Sequence, residues 1–380
     1  LLKGRDIIFL FIIILISCKD DDDAFVMEDP PIPIVPIDTT PKGPKDSLTP
    51  YQLEFPVHFT RIPAPIIPRN NPLTVEGIAL GKKLFYEKKL SKNNQISCGD
   101  CHKPEFAFND KDNALSQGVN GTLGVRNAMP LFNLAWVSVS TKKFNWHGSA
   151  NTLEKQAIEP VINAKEMQEN WSNVVKKLQQ DLEYPAMFHE VFGNDTIDST
   201  MVLKAIAQFE RTLISANSRV DKYVLEVIEG IDVPGNDFLS AQELRGYNLY
   251  IDEGKGDCFH CHGTFNNPLW TDNKMVNNGL DFSPDSGFAS VTKNPNDLGK
   301  FKVPSLRNLV FTGPYMHDGR FSTLREVIDF YADNVKLSSP NVDPSMAKSR
   351  NLNNQEREDI IAFLKALTDS SFVNDPKFRP

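Results

Sequence analysis

Two segments of the chain share a five-residue pattern, Cys98-Gly-Asp-Cys101-His102 and Cys258-Phe-His-Cys261-His262. Two thiols separated by two residues on a helical turn match the spacing of the two vinyl groups on one porphyrin edge. The histidine that follows aims an imidazole at the iron. A zinc site with this spacing draws four ligands, and a dithiol exchanger has no use for the trailing histidine. The pattern therefore predicts two covalently attached c-type haems, with Cys98, Cys101, Cys258 and Cys261 as attachment points and His102 and His262 as proximal iron ligands. The fifth and last cysteine is Cys18, so none remains for a structural disulfide.

Each motif follows a similar segment, Gly81-Lys-Lys-Leu84-Phe85 before the first and Gly246-Tyr-Asn-Leu249-Tyr250 before the second, which is a degenerate internal repeat. Val75, Ile78, Ala79, Leu84 and Phe85 fall near helical spacing, and Ser240 with Glu243 forms a capping-box signature at the head of the second helix. Residues 354–367 place Ile360, Ile361, Phe363, Leu364 and Leu367 on one side, which predicts a helix packed across the second. A further helix is predicted over Met201–Ile214, with a break at Asn217-Ser218, and another from Leu324 to Tyr331. No segment sustains a period of two. The expected fold is mainly α, two cytochrome c-like haem domains with long loops, an N-terminal one over 51–216 and a C-terminal one over 217–380.

The chain opens LLKGRDIIFLFIIILISC, a basic stretch and an apolar run too short for a typical spanning helix, which reads as a signal peptide over 1–17. Leu15-Ile16-Ser17-Cys18 is similar to a lipobox, which makes Cys18 the expected lipidation site and the membrane a partner through that lipid. Asp20 to Asp23 resemble an acidic signal for export to the outer face, or form a solvated spacer. With the proline-rich stretch to Pro50 they complete a tether over 18–50. The expected location is the cell envelope, on the periplasmic side or the outer surface of the outer membrane. The net charge of −8 comes from 41 basic and 49 acidic residues, and the four aspartates Asp20 to Asp23 supply half of it. Nothing in it supports nucleic-acid binding.

The segment Phe144-Asn-Trp146-His147-Gly148-Ser149, continuing through Leu153-Glu154-Lys-Gln156-Ala157 to Pro160 and Glu166-Met167, resembles the FWDGR…LEEQA…P…EM stretch of the bacterial dihaem cytochrome c peroxidases and MauG-type enzymes. Val303-Pro-Ser-Leu306-Arg307-Asn308 and Gly313-Pro314-Tyr315-Met316-His317-Asp318-Gly319-Arg320-Phe321 resemble the second-domain pattern of the same family. The likeness runs from about Pro72 to Leu367 with both haem motifs in register.

The resemblance implies that the first haem reacts with peroxide, that Glu166 is its acid-base residue, and that Gln156 orients bound oxygen species. A carboxylate close to the open iron can relay a proton between the two oxygens. Where many members place a blocking loop histidine, this chain has Val119, so the first iron is expected to be open without reductive activation. For the second haem the family register points to Tyr331 as distal ligand, with Met316 as the alternative and a core aromatic as the bland reading of Tyr331. Trp146 matches the residue that passes electrons between haems, and Asn127, Thr312 and Pro314 match positions that hold calcium, a hard cation suited to oxygen ligands. His147 and Ser149 depart from the family's aspartate and arginine. His147 is read first as a group supporting the residues near the active haem, with an acid-base role or harmless replacement as alternatives. His58, His189 and His260 are expected to be structural or exposed.

The implied activity is reduction of hydrogen peroxide to water with electrons from a small cytochrome or similar carrier. The alternatives are MauG-like oxidation of a protein or organic substrate, and a dihaem cytochrome that only transfers electrons. A homodimer is admitted as the assembly.

Overall fold

The computed structural model describes residues 48–233, 239–347 and 350–380. The leader, Cys18 and the tether up to residue 47 lie outside the described residues. The fold is mainly helical, 44% helix against 5% strand. Met275–Val276 and Phe301–Lys302 pair antiparallel, with Met275 opposite Lys302.

The helix before the first motif spans Val75–Phe85 and is capped by the Thr74 hydroxyl, which accepts from the Gly77 amide. Its buried face is Gly77, Leu80, Gly81, Leu84 and Phe85. This corrects the predicted face, since Val75 is 47% exposed and Ala79 is also in solvent. The reason is close helix approach at glycine. A Cβ on Gly81 would run into the main-chain carbonyl of Ala205 and crowd Phe209, both on the helix Ser199–Arg211.

The second half repeats the device. On the helix Ala241–Ile251, opened by the expected Ser240/Glu243 capping box, a Cβ at Gly246 would meet the Asp359 carbonyl and then Phe363 on the helix Asn354–Ala366. In each crossing the partner contributes a residue and its neighbour four positions on, which share one helix face. The repeat seen in the sequence is thus a repeat of helix crossings, and each holds the helix that leads into a Cys-x-x-Cys-His turn.

The Ser199–Arg211 helix ends three residues before the predicted Ile214. Asn133 draws the chain out of the helix there, its amide donating to Leu213 O at 2.8 Å and its side chain accepting from Ser215 N at 3.0 Å. Ser218 then caps the short helix Arg219–Tyr223. Likewise the helix predicted over Leu324 to Tyr331 is α-helical only over Leu324–Asp329, and continues as a π turn over Phe330–Asn334. The wider turn carries Tyr331, and such turns recur at functional sites.

One apolar cluster gathers Leu80, Leu84, Val174, Phe188, Val202 and Ile206. Another gathers Tyr250, Trp270, Ile360, Phe363, Leu364 and Leu367, with the Phe363 ring 5.5 Å from Trp270 and 5.3 Å from Tyr250. Arg307 is fully buried and grips Asp221 with both terminal nitrogens, one at 2.7 Å, while His58 Nε2 lies 2.9 Å from the same carboxylate. His58 is therefore structural, as expected. Among the described residues no helix is long and apolar enough to cross a membrane.

Candidate functional site

The first motif folds as the helical turn Cys98–Cys101, fixed by a capping box in which Ser97 N and Oγ both donate to the Asp100 carboxylate at 2.8 and 2.7 Å. The turn brings both thiols and the His102 ring to one cavity of about 230 Å³. His102 Nδ1 lies 2.9 Å from Phe108 O. A ring N–H donated to that carbonyl leaves Nε2 as the free lone pair, the arrangement that orients an iron ligand. Burial lowers the His102 pKa and pushes the Cys101 thiol up to about 11. A neutral imidazole is what an iron requires, and a thiol converted to thioether loses its ionisation altogether. The residues present fit a c-type haem.

The same cavity is lined by Gln156, Glu166, Trp146 and His147, so the structure brings together the residues that the sequence pointed to around the first motif. Glu166 accepts from Asn163 Nδ2 at 2.7 Å. Burial, reinforced by the negative charge of Glu159 and opposed by that hydrogen bond, raises its pKa to about 7. Gln156 Nε2 donates to Asn145 Oδ1 at 3.3 Å, and Asn145 in turn donates to Glu159 at 3.1 Å. Ser149 donates to the same Glu159 oxygen at 2.7 Å, and His147 Nε2 lies 3.7 Å from its other oxygen. Burial lowers the His147 pKa against the pull of Glu159. Asn145, Glu159 and Asn163 were not singled out from the sequence. Their spacing from Gln156 and Glu166 carries no motif, since what joins them is a loop folding back.

Trp146, 9% exposed, donates its indole N–H to Asn127 O at 2.8 Å and accepts from Lys302 N at 2.8 Å. It is thereby held to segments from both halves of the chain. Asn127 N donates to His317 O at 2.8 Å, and its side-chain amide donates to Asn113 O and Ala114 O at 3.2 and 3.1 Å. Of its oxygens, Oδ1 is the one these bonds leave free. Thr312 is buried beside the Gly313-Pro314 turn, whose Gly313 O accepts from Asp112 N at 3.3 Å. No cluster of three or more acidic, histidine or cysteine side chains able to hold a metal occurs among the described residues. A cation near Asn127 would therefore depend on amide and carbonyl oxygens.

At the second motif, Cys258 N donates to Tyr250 O at 3.0 Å and His262 N to Cys258 O at 3.1 Å, which sets the turn Phe259–His262. Burial pushes both thiols up to about 12 and the His262 ring down to about 4. His262 Nδ1 is buried without a hydrogen-bond partner of good geometry. Tyr331 and Met316 converge here: the Asn278 amide donates to Tyr331 Oη at 3.0 Å and approaches Met316 Sδ at 3.7 Å. Burial raises the Tyr331 phenol to about 12, and the charges of Cys261 and Cys258 add to the shift. Both candidate ligands thus sit at one point, and Asn278 was not foreseen. His260 pairs with Asp257 at 2.6 Å and His189 with Asp195 at 2.8 Å, both away from the cavity and partly exposed, as expected.

Residues 75–227 match the sequence profile of the family described as di-haem cytochrome c peroxidase. Cytochrome-c peroxidase IdrP1 of Denitromonas iodatirespirans is 33% identical over 85% of this chain and 90% of its own length. The methylamine utilization protein MauG of Methylophilus methylotrophus is 33% identical over 80% and 85%. The crystal structure of a MauG-like protein associated with microbial copper homeostasis superposes with a TM-score of 0.72 at 32% identity, covering 86% of this chain and 98% of that one. The chain belongs to the di-haem cytochrome c peroxidase/MauG family of oxidoreductases, and that membership implies two c-type haems.

Proposed function

We propose that this chain reduces hydrogen peroxide to water at the site of Cys98, Cys101 and His102, with electrons passed through the site of His262 from a small cytochrome or similar carrier. The observation that carries the reading is the enclosure of Gln156 and Glu166 in the cavity that receives His102, with the Glu166 carboxyl poised near neutrality. A bound haem supplies the iron at which peroxide is held. Glu166 takes the proton from the inner peroxide oxygen and returns it to the outer one, and a pKa near 7 makes both transfers accessible. Gln156, tethered by Asn145, orients the oxygens, and Trp146 bridges the two halves as the electron path. His147 supports this group through Glu159. Peroxide-driven oxidation of a reduced cytochrome, lost in Glu166→Gln, is the test; a variant of undiminished activity would refute the assignment.

A second reading, MauG-like oxidation of a protein or organic substrate, is favoured by one observation, the placement of Tyr331 Oη at Asn278 within the second site. A phenolate there favours ferric iron. The two readings separate on whether the protein turns over a reduced cytochrome at all. A low-temperature spin-resonance spectrum of the oxidised protein tests the remaining alternative, since a carrier that only transfers electrons shows both irons low-spin.

The same reading assigns 51–216 to the peroxidatic haem and 217–380 to the electron-transfer haem, supported by one apolar cluster that lies wholly within each half, while Phe372, Val373 and Phe378 of the C-terminal range pack with Phe85, Phe108 and Phe209 of the other. Asn127, Thr312 and Pro314 form its calcium site. Residues 1–17 are its leader, Cys18 its lipid anchor and 18–50 its tether, which places the enzyme in the cell envelope, and a homodimer is its proposed assembly.

A further inference from the structure

Lys302 is 5% exposed and lines the cavity that receives His102. Its backbone is pinned, because its amide donates to Trp146 O at 2.8 Å and its strand pairs with Met275. Its ammonium has neither hydrogen bond nor ion pair among the described residues, and burial alone pulls its pKa down to about 8. Of the other charged side chains of the cavity, Glu210 is buried with its Oε2 unpartnered among the described residues, and burial pushes its carboxyl up to about 8, which keeps it largely neutral near pH 7; the others are engaged elsewhere. Arg126 holds Asp285 at 3.0 Å, Glu159 takes Ser149 and Asn145, and Glu166 takes Asn163. A buried cation that lines a cavity with no carboxylate paired to it among the described residues is unfavourable unless an anion arrives to pair with it.

A c-type haem brings such an anion. Its thioether edge is fixed by Cys98 and Cys101, and its two carboxylates project from another edge of the ring. We propose that the Lys302 ammonium is the counter-ion of a propionate of the haem attached at Cys98 and Cys101, and so holds that ring against Trp146. The assignment rests on haem attachment at that motif. A free small anion would satisfy the same ammonium, and the experiment separates the two sources.

The test is a redox titration of the holoprotein and of Lys302→Gln, each first shown to carry two covalent haems per chain. Absence of haem in the wild type would defeat the functional reading itself, whereas the Lys302 assignment is read from the potentials. A positive charge beside the ring favours the ferrous state. Its removal is expected to lower the equilibrium constant for reducing the His102 haem roughly tenfold, about 59 mV for one electron, with a smaller change at the His262 haem. Equal potentials in both proteins would overturn the proposal. So would a wild-type potential that follows added formate and loses that dependence in Lys302→Gln, the mark of a free anion. If Lys302→Gln fails to assemble, Lys302→Arg gives the second reading. It keeps the charge but changes the donor, so the propionate bending mode in resonance Raman should shift while the potential stays within about twofold in equilibrium constant, about 18 mV. An unshifted mode would overturn the proposal.

Discussion

Val119 donates its main-chain N–H to the carbonyl of Glu166 at 2.7 Å, so the loop that holds a blocking histidine in many relatives is bonded here to the loop of the proposed acid-base residue. Val119 is buried and offers no donor to an iron. The oxidised protein is expected to react with peroxide without prior reduction, as stopped-flow mixing of fully ferric enzyme will show. Val119→His should create a dependence on reductant. Slow reaction of the ferric wild type would contradict the assignment of an open site.

Glu166 gives the pH dependence a definite sign. Its pKa is raised to about 7, so the carboxylate that accepts a proton is depleted as pH falls through that value. The rate constant for reaction with peroxide should decline on the acid side of about pH 7, and Glu166→Gln should lower it by roughly 10²–10⁴ and remove that limb. Glu159→Gln removes a negative neighbour and should move the limb to lower pH. A limb that stays in place in Glu166→Gln belongs to another group.

At the second site, the Tyr331 phenol stands near 12 through burial, and iron coordination would have to drive its ionisation. Tyr331→Phe should change the visible and spin-resonance spectra of the His262 haem, and Met316→Leu should leave them alone. The reverse pattern would make Met316 the ligand.

Asp221 accepts from Arg307 and from Ser218, with His58 2.9 Å away on its other side, which ties segments 58, 218–221 and 307 into one buried knot. Asp221→Asn strands a fully buried guanidinium and should cost about 3–5 kcal/mol, measurable by denaturant unfolding of the haem-loaded protein. Burial opposes ionisation of Asp221, but Arg307 and His58 hold its pKa well below the ordinary carboxylate value. A depressed pKa means that its contribution is present above the unfolded value and lost only as pH falls through the lower folded one. The difference between wild type and variant should therefore be flat through neutral pH and shrink only in strong acid.

The two Cys-x-x-Cys-His turns, the Ser240 cap, and the residue types at Gln156 and Glu166 could be read from the chain because each is written in contiguous residues or fixed spacing. The glycines at 81 and 246 were legible only as a repeat. Their purpose, two helix crossings at backbone contact, displaced the predicted apolar face of the first helix, since periodicity does not register an interface made by missing side chains. The contacts of Asn145 with Gln156 and Glu159 and of Asn163 with Glu166, the meeting of Tyr331 with Met316 at Asn278, and the burial of Lys302 in the cavity were invisible. Each joins residues through loop paths that local preference does not encode. Sequence by itself determined the two Cys-x-x-Cys-His motifs and the chemical types at the site; tertiary structure decided burial and neighbouring charge, and these set the proton affinity of Glu166 and leave the Lys302 ammonium without a hydrogen bond or ion pair among the described residues.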